Sequence, residues 1–279
     1  GVYQISNALE LNWLAFSVNH EFSDMNAKLT ADIAMKGIDW TMMENYAGTL
    51  DGAGHTISGL NQHKGFDDHK HGFIRTLASG GVVKNLTFTE ASIWNREGSG
   101  PISAVIAYTN NGTIEKCVVK NSLIQSAETT LAVVAGENNG TIRNCASISN
   151  EVKRRHSSVH AQEASGFVWA NGTNAKIENC MVYDCEYVEA SANHALTQSN
   201  AGTITNCYYY EASETLSDAV ANGVIEAKTA EQFASGAVCY LLNGSTSKGD
   251  LVWGQTLGTD NYPVYKTENN TVCKASTQE

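Results

Sequence analysis

A six-residue phrase recurs along this chain with small changes. It reads GTIEKC at 112–117, GTIRNC at 140–145, AKIENC at 175–180 and GTITNC at 202–207, with a fainter copy, GVVKNL, at 81–86. Its cysteines are 28, 35 and 27 residues apart, and a period of roughly 20 to 50 residues is typical of solenoids, propellers and stacked arrays. The repeats are rich in Thr, Val, Ile and Tyr and are interrupted by Asn-Gly pairs, which favours short strands and turns over helical repeats.

An asparagine precedes the cysteine in three copies of the phrase. Strict alternation along a strand would put the isoleucine and the cysteine, three residues apart, on opposite faces. A bend between them would let both point inward, and asparagine tolerates the left-handed backbone region that such a bend needs. Asn144, Asn179 and Asn206 are therefore predicted to be corner residues, although Lys116 departs from the pattern.

Stacked coils of short parallel strands with asparagine corners form a parallel β-helix. The predicted fold is therefore an all-β solenoid that makes a single domain over residues 1–279. Its predicted parts are an N-terminal cap and first coil at 1–50, stacked coils at 51–225 and a C-terminal cap at 226–279.

The solenoid ends need covers because a bare end exposes strand edges. Leu9, Trp13 and Phe16 recur at helical spacing, which predicts a capping helix near the N-terminus. Thr229 and Gln232 form the pattern of a capping box, which predicts another helix near the C-terminus, followed by a strand-like tail.

Composition limits the partners of the chain. The net charge of −11 argues against nucleic acid as a partner. No apolar run approaches the roughly 20 residues of a membrane helix, so membrane insertion is not predicted. The four repeat cysteines are predicted to be buried packing groups, whereas Cys239 and Cys273 could pair with each other. No nucleotide-binding or cofactor motif occurs, and no cofactor is predicted.

The stretch AVVAGENNGTIRNCASISNEV, at 132–152, resembles the GLUG repeat of large bacterial cell-surface and secreted proteins. The segments YQISNALELNWLAFSVN and WGQTLGTDNYPVY resemble sequences that accompany such repeats. This resemblance implies a right-handed β-helix, a secreted or cell-surface location and a larger multidomain chain. It implies little about chemistry, because such repeats occur in adhesins and beside the catalytic domains of surface peptidases.

The longest variable segments all precede the same strand of their coils. They are 61–72, 94–100 and 151–166, and a shorter one at 189–194 takes the same place. In a stacked solenoid, insertions at equivalent positions emerge along one edge, and loops of this kind carry function. We therefore expect a functional surface at that edge.

These segments hold the candidate site residues. Arginine pairs bind carboxylate or sulfate groups, and a histidine or glutamate beside them could abstract a proton. The ligand-binding candidates are Arg154, Arg155, Arg96, Trp94 and His71. The catalytic candidates are His156, His160, Glu163 and His194. The alternative is that the segments are solvated and have no specific role.

The stretch HKGFDDHKH also contains groups that can ligate metals, namely His63, Asp67, Asp68 and His69. Their spacing fits no recognised zinc pattern, so no metal site is predicted.

The sequence predicts one function and leaves two alternatives. The first is an adhesin-like protein that binds an extracellular glycan or a host-surface component. The second is a polysaccharide lyase or a glycoside hydrolase that uses the groove beside the loops. The third is a passive spacer within a larger surface protein. The sequence does not identify the ligand or the oligomeric state.

Overall fold

The computed structural model describes residues 1–64, 71–95, 103–126, 130–154, 163–189, 192–210, 212, 216, 225–268 and 270. Its strands stack in parallel, in register, from coil to coil, which confirms the predicted all-β solenoid. Within this described part, no helix is long and apolar enough to cross a membrane.

Four parallel sheets, named A to D, run along the solenoid. Sheet A contains Val2–Ile5, Asn26–Leu29, Ile33–Ala34, Thr49–Asp51, Thr56–Ser58, Val82–Thr89, Thr113–Lys120, Thr141–Arg143, Ala146–Ile148, Lys176–Glu178, Met181–Tyr183, Thr203–Thr205, Cys207–Tyr210 and Ile225–Ala227. Sheet B contains Asn61–Lys64, Ser92–Asn95, Leu123–Ser126, Glu151–Arg154 and Glu186–Val188. Sheet C contains Met43–Tyr46, Ile74–Leu77, Ala107–Asn110, Ala135–Asn138, Val168–Asn171 and Thr197–Asn200. Sheet D contains the short strands Leu131–Ala132, Glu163–Ser165 and Ala192–His194.

The recurring phrase supplies two inward columns of side chains. Ile114, Ile142 and Ile177 are register partners on successive strands and are fully buried. The second column consists of the four cysteines of the phrase, which are at most 1% exposed: Cys117, Cys145, Cys180 and Cys207. This confirms the predicted packing role. Burial raises the pKa of the Cys117 and Cys180 thiols, so these thiols stay protonated and are poor nucleophiles.

The asparagine corners are confirmed by their backbone angles. Asn144, Asn179 and Asn206 have φ values of 55°, 55° and 51°. Lys116 has a φ of 51° as well, although lysine, unlike asparagine, has no preference for the left-handed backbone region. The stacked coils above and below therefore impose the left-handed corner, and asparagine is the residue that adopts it with little strain.

A ladder of hydrogen-bonded asparagine side chains lies inside the solenoid. Asn110 Nδ2 donates to Asn138 Oδ1 at 2.7 Å, and Asn138 Nδ2 donates to Asn171 Oδ1 at 2.8 Å. Asn171 Nδ2 continues the ladder to Asn200 Oδ1 at 2.8 Å. Asn110, Asn138 and Asn171 are at most 1% exposed, so each coil satisfies buried amide groups of the next.

The N-terminal helix, α1 at Ala8–His20, forms as predicted, with Asn7 as its cap. Its buried face differs from the expected stripe. Leu9 and Phe16 are 78% and 60% exposed, and the Trp13 ring packs against Tyr3 in a tilted arrangement with ring centroids 4.7 Å apart. The side chains that enter the core are Leu11, Leu14, Ala15 and Val18.

The C-terminal segment contains α2 at Ala230–Ala234, α3 at Ala237–Leu242 and an antiparallel pair, Trp253–Gly254 with Val264–Tyr265. The predicted capping box of Thr229 and Gln232 is present. This segment packs against the outer face of sheet A, and the second core that results contains Phe233, Val238, Leu242, Trp253, Ala146, Met181 and Tyr208. Cys239 of α3 is disulfide-bonded, while Cys273 lies outside the described residues.

Replacing Cys145 by Ser should destabilise the fold by about 1 to 3 kcal/mol, because a buried hydroxyl needs hydrogen bonds that a thiol does not. The Cys145 sulfur lies 3.4 Å from the Cys117 amide nitrogen and 3.2 Å from the Arg143 carbonyl oxygen. Denaturant unfolding measures the change. The exposed Thr203→Ser variant is the control and should change stability by less than about 0.5 kcal/mol. Equal stability of the two variants would contradict a core role for Cys145.

Candidate functional site

The variable segments leave the solenoid at one place. In sheet B, Asn95 is the register partner of both Lys64 and Ser126, and Ser126 is the partner of Arg154. These four residues end their strands, and the chain after Lys64, Asn95 and Arg154 continues into the predicted variable segments. The first four residues of the predicted segments 61–72 and 151–166 are strand, so these segments leave the solenoid later than expected. The segments therefore depart from the same edge of sheet B on successive coils.

The segments also return at one place. Ser103 bridges to His71 on one side and to Leu131 on the other. Leu131 is the register partner of Ala164, which in turn is the partner of Asn193. We call the region between the ends of the sheet B strands and this row the loop corner. Its flanks stay in register over all the coils that carry a variable segment.

Buried polar side chains line the return side of the loop corner. Leu131 and Ala164 belong to the hydrophobic core, so the row that contains them faces inward. His71, Ser103 and Asn193 occupy the same row and are 1%, 0% and 8% exposed. A buried polar group is costly unless it is hydrogen-bonded, and a core position would ordinarily be apolar. The loop corner is therefore a second buried polar region, beside the asparagine ladder of the interior.

The neighbouring outward row brings Ser165 and His194 together as register partners. His194 is 5% exposed, and its Nε2 lies 3.8 Å from Oε2 of Glu163. Within the described residues, the two ring nitrogens of His194 make no hydrogen bond. The Ser165 hydroxyl makes none either. The 3.8 Å separation is too long for a hydrogen bond. An imidazole and a carboxylate at this distance can nevertheless exchange a proton through a small rearrangement or a bridging group.

Ser165 is fully buried, so its hydroxyl is not accessible to a substrate as a nucleophile. The pair of His194 and Glu163 is the arrangement at this corner that could act on a proton. Both residues were catalytic candidates from the sequence, and the structure brings them together from separate coils.

Some of the remaining candidate residues lie within the described part of the chain, and the others lie outside it. Trp94 lies on the outward face of sheet B, half-buried, in register with Gln125. The backbone of Arg154 ends its strand at the loop corner, and the backbone of His63 lies in sheet B. Outside the described residues lie Arg96, Arg155, His156, His160, Asp67, Asp68 and His69.

Within the described ranges, no group of three or more His, Cys, Asp or Glu side chains is placed to hold a metal ion.

Ser103, Ser165 and Asn193 were not predicted to belong to the corner. A signal for two of them exists in the sequence, since Ser103 and Asn193 stand at equivalent places of their coils, and Ser165 stands one place further along. Serine and asparagine are common in loops, so the signal becomes visible only when the coils are aligned.

These features define the chain as a parallel β-helix protein with a polar loop corner. No protein-family model matches the chain, so the likeness to the GLUG repeat remains a resemblance of short segments. Halomucin from Haloquadratum walsbyi is 34% identical over 80 residues, which cover 29% of this chain and 1% of halomucin.

A crystal structure described as a "putative immunoglobulin A1 protease" from Bacteroides ovatus has a similar fold. The TM-score is 0.59, and the match covers 95% of this chain and 92% of that chain at 18% identity. At this identity the likeness shows the fold alone.

Proposed function

We propose that this chain is the β-helical part of a secreted or cell-surface protein and that it binds an extracellular glycan or host-surface component at the loop corner. The observation that carries this proposal is the register of the corner. Variable segments leave and return at equivalent positions on successive coils, beside a row that includes the buried side chains of His71, Ser103 and Asn193. A rigid solenoid that presents a series of loops along one edge suits an extended ligand.

The proposed location is supported by the similar proteins. Their printed names, halomucin and an immunoglobulin A1 protease, both point to extracellular proteins. The disulfide of Cys239 supports the same setting, because disulfides persist in oxidising compartments.

The ligand is proposed to be acidic or sulfated, with Arg154 and Arg155 as its charged contacts and Trp94 as a stacking surface. A screen of the chain against a glycan array would identify the ligand. The double replacement of Arg154 and Arg155 by Ala should then weaken binding at least tenfold, because each charge-assisted contact contributes about 1.5 to 3 kcal/mol. Binding should also lose much of its salt dependence. Titration calorimetry at two salt concentrations measures both effects.

A matched control removes two positive charges from sheet A, by replacing Lys120 and Arg143 with Ala. Arg143 pairs with Glu115 at 2.9 Å, away from the loop corner. If the two double variants lose the same affinity, general charge rather than the loop corner governs binding. If the Arg154 and Arg155 variant binds as tightly as the parent chain, the site lies elsewhere.

A polysaccharide lyase is the second candidate, and the observation that favours it is the proximity of His194 and Glu163. In such a reaction the arginines would neutralise the sugar carboxylate and a base would remove the adjacent proton. The product would be an unsaturated uronide that absorbs in the ultraviolet. An assay on uronic-acid polysaccharides tests this function, and turnover that survives in both His194→Ala and Glu163→Gln would exclude this pair as its machinery.

A further inference from the structure

A cavity of about 330 Å³ lies beside the asparagine corner, on a different part of the coil from the loop corner. Its floor is formed by Asn144, Asn179 and Asn206, one from each of three successive coils. Its opposite wall is the segment 242–252, which follows α3. Along the chain, the second sheet A strand and the sheet B strand lie between this cavity and the loop corner that follows. In the other direction, sheets D and C and the first sheet A strand lie between it and the preceding loop corner. It is therefore independent of the function proposed above.

The floor offers amide groups that the protein does not use. Asn144 is 8% exposed, and its backbone carbonyl accepts a hydrogen bond from the Tyr265 hydroxyl at 2.8 Å. Its side-chain amide makes no hydrogen bond within the described part of the chain. Asn206 Nδ2 donates to Asn179 Oδ1 at 3.0 Å, which leaves the Asn179 amide nitrogen available to a ligand. An amide without a protein partner at the edge of a cavity offers a hydrogen-bonding group to a ligand.

The corner and both ends of the segment 242–252 are fixed before any ligand arrives. The left-handed backbone of the corner is held by the stack of coils. On the other side, the Asn243 side chain ties the segment together, since its Oδ1 accepts from the amides of Val252 and Trp253 at 3.1 Å each. Its Nδ2 donates to the carbonyls of Cys239 and Trp253 at 3.0 and 2.9 Å. Binding to such a site costs little ordering entropy.

The lining determines the chemistry of the ligand. The charged residues of the cavity are Lys248 and Asp250, whose charges cancel, so neither an anion nor a cation is favoured. Amides act as both donors and acceptors, which matches hydroxyl groups. Leu251 and Val252 add aliphatic surface for the carbon face of a ring. The volume lies at the lower end of the range of about 300 to 1,000 Å³ for ligand pockets, which suits one ring rather than a long chain.

We propose that this cavity is a binding site for a single uncharged sugar residue, held by the amides of Asn144 and Asn179 against the segment 242–252.

The test uses methyl glycosides of glucose, galactose, mannose and N-acetylglucosamine as probes, observed by saturation-transfer NMR on the full chain. At least one probe should show binding. Asn144→Gly and Asn179→Gly should each weaken it at least fivefold, because glycine keeps the left-handed backbone and removes only the amide. The matched control is Asn121→Gly, which has a φ of 51° at another corner and lies outside this cavity. The control should bind as the parent chain does.

A second variant keeps the test decisive if a corner variant loses its fold. Thr246 is exposed in the cavity wall, and its hydroxyl accepts from the Lys248 amide at 3.2 Å. Thr246→Val should loosen this turn and weaken binding, while the solenoid stays folded as judged by its thermal midpoint. Binding that is the same in Asn144→Gly, Asn179→Gly and Asn121→Gly would overturn the proposal. Absence of binding by all four probes would overturn it as well, and so would tighter binding of glucuronate than of the neutral probes. The Arg154 and Arg155 double variant should bind the probes normally, which separates this site from the loop corner.

Discussion

Replacing Gly140 by Ala should destabilise the solenoid by about 3 kcal/mol or more. A Cβ at this position would lie 2.1 Å from the carbonyl oxygen of Gly112 and 2.8 Å from the carbonyl carbon of Asn111. Both are backbone atoms of the neighbouring coil, so the clash cannot be relieved by a side-chain rotation. Relief would require a shift of the stacked strands. Denaturant unfolding of the variant and the parent chain measures the loss.

The control for this prediction is Gly80→Ala. Gly80 has a φ of +87° and no atom within 4 Å of its added Cβ, so alanine there meets backbone strain but no clash. We expect a cost of about 1 kcal/mol. Similar losses in the two variants would show that backbone conformation, and not the close approach of coils, determines the need for glycine.

The next coil has an alanine at the equivalent position. Ala175 is the residue equivalent to Gly140, since Thr141 and Lys176 are register partners. The turn that precedes Ala175 differs, because it includes Asn174 with a φ of 70°. The approach of one coil to the next therefore depends on the turn as well as on the residue.

Replacing Asn138 by Ala should destabilise the fold by about 3 to 5 kcal/mol. The Asn138 side chain accepts from Asn110 at 2.7 Å and donates to Asn171 at 2.8 Å, deep in the interior. Its loss would leave an acceptor of Asn171 and a donor of Asn110 without their ladder bonds. Each buried polar group that loses its partner costs about 1 to 3 kcal/mol, and the two losses occur together. The free energy of unfolding from a denaturant titration measures this change.

Asn139 provides a matched control one residue away. It is exposed and donates to Asn111 at 3.2 Å on the outside of the solenoid. Asn139→Ala should cost less than about 1 kcal/mol. If the two alanine variants have equal stability, the interior ladder does not stabilise the stack.

Local repetition made much of the solenoid predictable. The corner of Asn144 and the inward position of Cys145 follow from spacing within one copy of the phrase, because side-chain direction along a strand obeys a fixed alternation. The common edge of the variable segments follows from their equivalent places in the repeat. The interior ladder of Asn110 and Asn138 was visible as a recurring Asn-Asn pair, but the pair alone does not show which asparagine faces inward.

The candidate site was less predictable for a physical reason. Trp94, Glu163 and His194 could be placed near one edge from the sequence, but their contacts could not. The approach of His194 to Glu163 depends on the register of two strands whose connection varies in length. The buried state of Ser103 depends on which row faces the core, and this is set by the whole coil.

The sequence by itself determined the repeated elements of this protein, which are the parallel coils, the left-handed corners and the inward cysteine column. Each depends on interactions between a residue and its equivalent on the next coil, so a repeat in the sequence is enough to specify it. Only the tertiary structure decided where the unrepeated parts lie. Helix α1 has two apolar stripes, and the shape of the underlying core selected the one with Leu11 and Leu14. The C-terminal segment reached the outer face of sheet A, where Tyr265 bonds to Asn144 across 121 residues of chain. Such contacts depend on the fit of two surfaces that have no common period, and no local pattern records that fit.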